Sequence, residues 1–160
     1  MLLFALFAGV GFALMFVPPI EPRIADLSRA ISVMAGAIIH LARGRVWVEG
    51  DVLTAENGFA IRIMNGCNGI NVLVLLWSAM LAWPTGAGRK LKGMVLGALI
   101  IQAANLVRVI TLFYLGQWNT VWFEWMHVYA WEILMMLLGL AVFAVWARGT
   151  LARAGSHRAT

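Results

Sequence analysis

The sequence predicts an all-α membrane protein of about four transmembrane helices, with an interfacial amphipathic helix and a small extracytoplasmic β-hairpin. Three observations predict it. Of 160 residues, 62% are hydrophobic and only 12% charged, and mean hydropathy is +0.87. Soluble domains carry about 25% charged residues, so this chain cannot cover its apolar surface with its own polar groups and needs lipid around it. Long apolar runs recur at 2–19, 69–84, 93–115 and 128–147, near the length of about 20 residues that a spanning helix needs. Between the first and second runs the pattern changes from helical to alternating.

Residues 1–20 read as an anchor helix rather than a cleaved leader, because no Lys or Arg precedes the apolar run and no small-residue cleavage site follows it. "PPIEP" then breaks the helix. From 24 to 43 a helical pattern resumes, with Leu27, Ile31, Met34, Ile38 and Leu41 on one stripe and Arg29, Ser32, Gly36, His40 and Arg43 opposite. This is either an amphipathic helix in the outer interface or a helix packed on the spans. Residues 46–64 carry two turn signals, Gly50-Asp51 and Asn57-Gly58, with Phe59, Ile61 and Ile63 alternating with Ala60, Arg62 and Met64. An Asn-Gly turn flanked by alternation predicts a hairpin or a three-strand meander. Residues 68–147 form a three-helix core, and 148–160 a polar cytoplasmic tail. The whole is one integral membrane domain.

The net charge of +5 reads as topology rather than as nucleic-acid binding. Arg89, Lys90 and Lys92 lie between two spans, and Arg148, Arg153 and Arg158 follow the last. Basic loops stay in the cytoplasm, which places residues 20–68 outside and the chain in the cytoplasmic (inner) membrane as a multi-pass protein. The arginines of the 20–68 segment oppose that rule, although five acids accompany them.

Polar residues gather at three places. In "NGCNGINVLVLLW", residues 65–77, the only cysteine, Cys67, stands where turn residues give way to an apolar helix beginning near Asn68. Helix N-termini favour a thiolate, and Asn71 would share the face of Cys67 one turn on. A buried structural cysteine is the alternative. Arg108 lies inside the run "LIIQAANLVRVITLFYL" with Gln102 and Asn105 as a polar stripe. A charge within a span costs about 2.5–3.5 kcal/mol on insertion scales, so it marks either function or an ion pair, with Glu132 of the next span as partner. His127 sits in "WFEWMHVYAWE", an aromatic belt. Three segments thus deliver a thiol, a cation and an imidazole to the outer half of the membrane, which suits thiolate attack on a carbonyl. One Cys and one nearby His do not fill a zinc site, and no cofactor is expected.

"CNGI" at 67–70, "NLVR" at 105–108 and His127 opening the last span resemble the core of the exosortase/archaeosortase family, and the short chain resembles its compact members of the exosortase H type. The resemblance extends over 59–147. It implies a membrane cysteine protease or transpeptidase that processes exported proteins bearing a C-terminal sorting signal, made of a short motif, a transmembrane helix and a basic cluster. It implies Cys67 as nucleophile, Arg108 as stabiliser of the transition state and His127 as acid/base, with Asn68, Gly69, Asn71, Asn105 and Glu132 in substrate-binding or supporting roles. Two other classes fit the composition: a non-enzymatic assembly or transport subunit with an inert Cys67, and a lipid-dependent membrane acyltransferase.

Overall fold

The computed structural model describes residues 1–156 except Pro19 and Asn65, with burial of side chains described to Thr150. The tail residues His157 and Arg158 lie outside the described residues. In chain order the elements are α1 (Leu2–Leu14), α2 (Glu21–Leu41), β1 (Val46–Glu49), β2 (Val52–Ala55), β3 (Ala60–Arg62), α3 (Ile70–Ala82), α4 (Ala87–Trp118), α5 (Thr120–Trp125), a π-helical turn (Met126–Ala130) and α6 (Trp131–Ser156).

Three stretches are long and apolar enough to cross a membrane by length and composition: Glu21–Leu41, Ala87–Trp118 and Thr120–Thr150. The expected spans 93–115 and 128–147 lie within two of these stretches, while 2–19 and 69–84 form shorter apolar helices. Helices α1 and α3 have 13 residues each. At 1.5 Å per residue each reaches roughly 20 Å, so crossing a hydrocarbon core of about 30 Å takes the flanking residues as well. They pack against one another, with Gly11 of α1 against Val74 of α3. The carbonyl of Asn68, just before α3, accepts from Gln102 in the middle of α4 (3.1 Å), so α3 accompanies only part of α4. Helix α2 lies beside the other part, where Gly44, just after it, approaches the Tyr114 hydroxyl.

The face that α2 turns inward is not the apolar stripe that the sequence pattern predicts. Ile24, Ser28, Ile31, Ser32, Ala35, Gly36 and Ile39 are buried, whereas Met34, Ile38 and Leu41 are exposed. In lipid the apolar side chains need no cover, and small residues win the protein-facing positions because they allow close approach. The Ser32 hydroxyl donates to the Ser28 carbonyl (3.0 Å), which satisfies it without a partner from another element. Helix α4 repeats the rule: Gly93, Gly97, Ile101, Asn105 and Arg108 face inward, and Leu91, Val95, Leu99 and Val107 face outward.

The β element is a three-strand antiparallel meander in the order β1-β2-β3. Glu49 pairs with Val52 across the Gly50-Asp51 turn, and the Asn57 carboxamide oxygen accepts from Phe59 N (3.1 Å) within the second turn. Ile31, Ala35 and Ile39 of α2, Val46, Leu53 and Ala55 of the sheet, Ile63, and Val109 and Phe113 of α4 form one core. Phe59 docks on Gly116, where a Cβ would fall 2.0 Å from the ring. A second core joins Val72, Leu73, Leu76 and Met80 of α3 to Ile101 and Met135. Helix α6 continues to Ser156, so residues just past Arg148 belong to the helix rather than to a separate tail.

Candidate active site

Strand β3 is followed by a turn at residues 66–69 that precedes α3, and that turn carries Cys67. Helix α3 begins at Ile70 with Gly69 as its cap, so Cys67 precedes the helix instead of standing on its first turn. Gly69 holds φ 76° in the left-handed region, and a Cβ placed there would lie 3.4 Å from the Asn105 side chain. A side chain there would be strained by conformation and would touch α4. Asn68 is fully buried and ties the turn down. Its carboxamide donates to the Ser28 hydroxyl (3.3 Å) and accepts from Ile70 N (3.2 Å). Cys67 N donates to the Met64 carbonyl (2.9 Å). Asn71 is half-buried on α3 and stands near Gly66 rather than on one helical face with Cys67.

His127 does not open a span. The Asn119 side chain caps α5, accepting from Val121 N (2.9 Å) and Trp122 N (3.1 Å), and the helix then runs through the π turn that contains His127. A π turn inserts one residue's worth of extra rotation, a device common at functional sites. The imidazole stacks on Phe123 one turn earlier, with ring centroids 5.6 Å apart and planes at 4°. Its Nε2 lies 3.1 Å from Cys67 Sγ. With the proton of the neutral ring on Nδ1, the thiol donates to Nε2.

Arg108 is enclosed, with its side chain 4% exposed, and its Nη2 lies 3.5 Å from Glu132 Oε2. That separation is longer than a charge-assisted hydrogen bond of about 2.7–2.9 Å. The Arg108 Nε meets no hydrogen-bond partner among the described residues, nor do the carboxamide nitrogen and oxygen of Asn105. Cys67, Arg108 and His127 line one narrow cleft, closed by Ile61, Arg62, Ile63, Val109, Leu112 and Phe123. Asn105 lies beside it under Gly69. Phe123 and the β3 residues were not among the expected site residues. Phe123 is four positions before His127, the spacing at which helical side chains meet, which is the signal that finds it.

Cys67 lies in the turn, outside the helical spans, and burial pushes its thiol above the ordinary cysteine value. The Arg108 charge opposes that rise and the Glu132 charge adds to it. Desolvation thus opposes the thiolate that the sequence pattern leads one to expect beside a helix N-terminus. The site holds a thiol against an imidazole, an arrangement through which the Cys67 proton can pass to His127. Among the described residues no three His, Cys, Asp or Glu side chains cluster to hold a metal ion.

The sequence matches the family model described as transmembrane exosortase (Exosortase_EpsH) over residues 1–151. No curated protein and no solved structure matches the chain.

Proposed function

The chain belongs to the transmembrane exosortase family and is a sorting-related, multi-pass membrane protein; on that premise we propose that it is a cysteine protease or transpeptidase that processes the C-terminal sorting signal of exported proteins. The observation that carries this reading is the 3.1 Å approach of Cys67 Sγ to His127 Nε2 in a cleft that also holds the Arg108 guanidinium.

His127 Nε2 takes the Cys67 proton as sulfur attacks the scissile carbonyl. The oxygen gains the negative charge, and the enclosed Arg108 stabilises it in a site where water does not screen the charge. The tetrahedral adduct collapses, the C–N bond breaks, and the imidazolium returns its proton to the leaving amine. A thioester on Cys67 remains. An amine, hydroxyl or water then attacks it, giving its proton to His127, and the thiol is restored. The cleft opens on the extracytoplasmic side of the inner membrane, opposite Arg89, Lys90 and Lys92. The substrate brings its own transmembrane helix beside α3, α4 and α6, which holds its motif at Cys67 and removes part of the entropic barrier.

The Arg108–Glu132 contact favours one competing reading, a structural ion pair in a non-enzymatic subunit. Co-expression with exported proteins that carry a motif, a helix and a basic cluster, followed by mass spectrometry of their C-termini, separates the two. Truncated or transferred C-termini that require Cys67 support the enzyme. Uniformly intact C-termini contradict it.

A further inference from the structure

Strand β3 is an edge. It pairs with β2 on one side, Val52 with Arg62, Leu53 with Ile61 and Thr54 with Ala60, and among the described residues no strand lies on its other side. The pattern of hydrogen bonds fixes which backbone groups face outward. Ala55 N donates to the Phe59 carbonyl (2.8 Å) and Ile63 N donates to the Asp51 carbonyl (2.9 Å). The Phe59 carbonyl and the backbone groups of residues 61 and 63 therefore face β2, and Ala60 and Arg62 aim theirs away from it. Among the described residues neither Ala60 nor Arg62 makes a backbone hydrogen bond on that outer side.

This edge runs into the cleft. Ile61, Arg62 and Ile63 are consecutive, and all three line the space that holds Cys67, Arg108 and His127. Along a strand, side chains alternate between faces, so Arg62 points opposite to its two neighbours. A cleft that meets Ile61 and Arg62 of the strand and then Ile63 just past it follows the edge of this segment. The chain then needs only the turn from Met64 to carry it to Cys67.

The geometry points to the outer edge of β3 as the docking rail for the substrate: the extended motif segment of the signal-bearing polypeptide adds as a fourth strand, exchanging N–H and C=O hydrogen bonds with Arg62 and lying with its scissile bond at Cys67. Strand addition of this kind takes affinity from the main chain and lets side-chain pockets set specificity. An extended polypeptide is the occupant because it alone repeats donor and acceptor at the spacing that the edge offers; a lipid tail or a glycan does not. Ile61 and Ile63, whose side chains face the core side, hold the rail in place, and every second residue of the substrate faces them. This inference rests on the cysteine-transfer reading and adds how the peptide is held.

The test uses full-length protein in detergent and a synthetic copy of a C-terminal signal found to be processed in the co-expression experiment. Single N-methyl groups are placed along its extended segment in turn. The expected result is alternation: methylation at every second amide lowers kcat/KM about tenfold, and the intervening positions are tolerated. Arg62→Pro, which removes the outward N–H and leaves the β2 ladder donors intact, lowers kcat/KM for the unmodified peptide by a similar factor. Alkylation of Cys67 by iodoacetamide is the control for folding of the variant. A flat N-methyl scan, with sensitivity absent or without period two, overturns the rail even if Arg62→Pro misfolds, because the scan uses the wild-type enzyme. If processing persists in Cys67→Ala, the cysteine reading itself is overturned, and the two failures are told apart.

Discussion

Cys67 Sγ and His127 Nε2 lie 3.1 Å apart although 60 positions separate them in the chain. Two unrelated local structures bring them together: a turn pinned by the buried Asn68, and a π turn whose imidazole is laid flat against Phe123. Each has its own means of fixing one partner, so the pair is held before any substrate arrives. In the proposed reaction such preorganisation lowers the cost of reaching the transition state.

The first prediction concerns the thiol. Burial and the Glu132 charge both disfavour the thiolate, so its alkylation by iodoacetamide should rise with pH through a midpoint above that of an exposed cysteine. Glu132→Gln removes the anion and should move the midpoint down; Arg108→Gln removes the cation and should move it up. A wild-type midpoint below that of glutathione measured in parallel would contradict the site's electrostatics.

The second concerns Arg108. Arg108→Lys should lower processing on the order of 100-fold while the protein still inserts, because an ammonium lacks the planar pair of donors. Full activity of Arg108→Lys would mean that a point charge suffices. Recovery of Arg108→Ala by Glu132→Ala would show that the charge serves only the ion pair.

The third concerns the turn. Asn68→Ala removes a buried carboxamide that bonds Ser28 and Ile70, and should cost about 1–3 kcal/mol, read as a lower unfolding temperature in detergent. Unchanged stability with unchanged processing would remove Asn68 from the supporting set.

The fourth concerns orientation. Reporters fused at Glu56 and at Gly86 should fall on opposite sides of the membrane, with Glu56 outside. Reporters on the same side would overturn the placement of the cleft.

The sequence made much of this visible through anomalies. Asn57-Gly58 with alternation behind it is a turn chemistry that few other structures accommodate, and the meander follows it. Cys67, Arg108 and His127 stood out because a thiol, a guanidinium and an imidazole are out of place in an apolar chain, and the cleft collects all three. Three features were hidden. The inward face of α2 was hidden because in lipid an apolar stripe does not mark burial, and Ser32 and Gly36 outrank Met34 and Ile38 there. The start of α3 at Ile70 was hidden because Gly69 caps it by its left-handed backbone, which a reading by side-chain type misses. The π turn at Met126–Ala130 is a change of backbone register with no residue signature in "MHVYA".

Processing of a signal-bearing substrate by the Cys67→Ala protein tests the central claim most directly. The substrate is co-expressed with wild-type or variant enzyme, and its C-terminus is read by mass spectrometry, with insertion of the variant checked by its level in the membrane fraction. The account predicts that cleavage is abolished in Cys67→Ala and nearly so in Cys67→Ser, while His127→Ala slows formation or resolution of a hydroxylamine-sensitive thioester in the otherwise intact enzyme. Wild-type amounts of cleaved product from Cys67→Ala would contradict it and reduce the 3.1 Å pair to a packing contact.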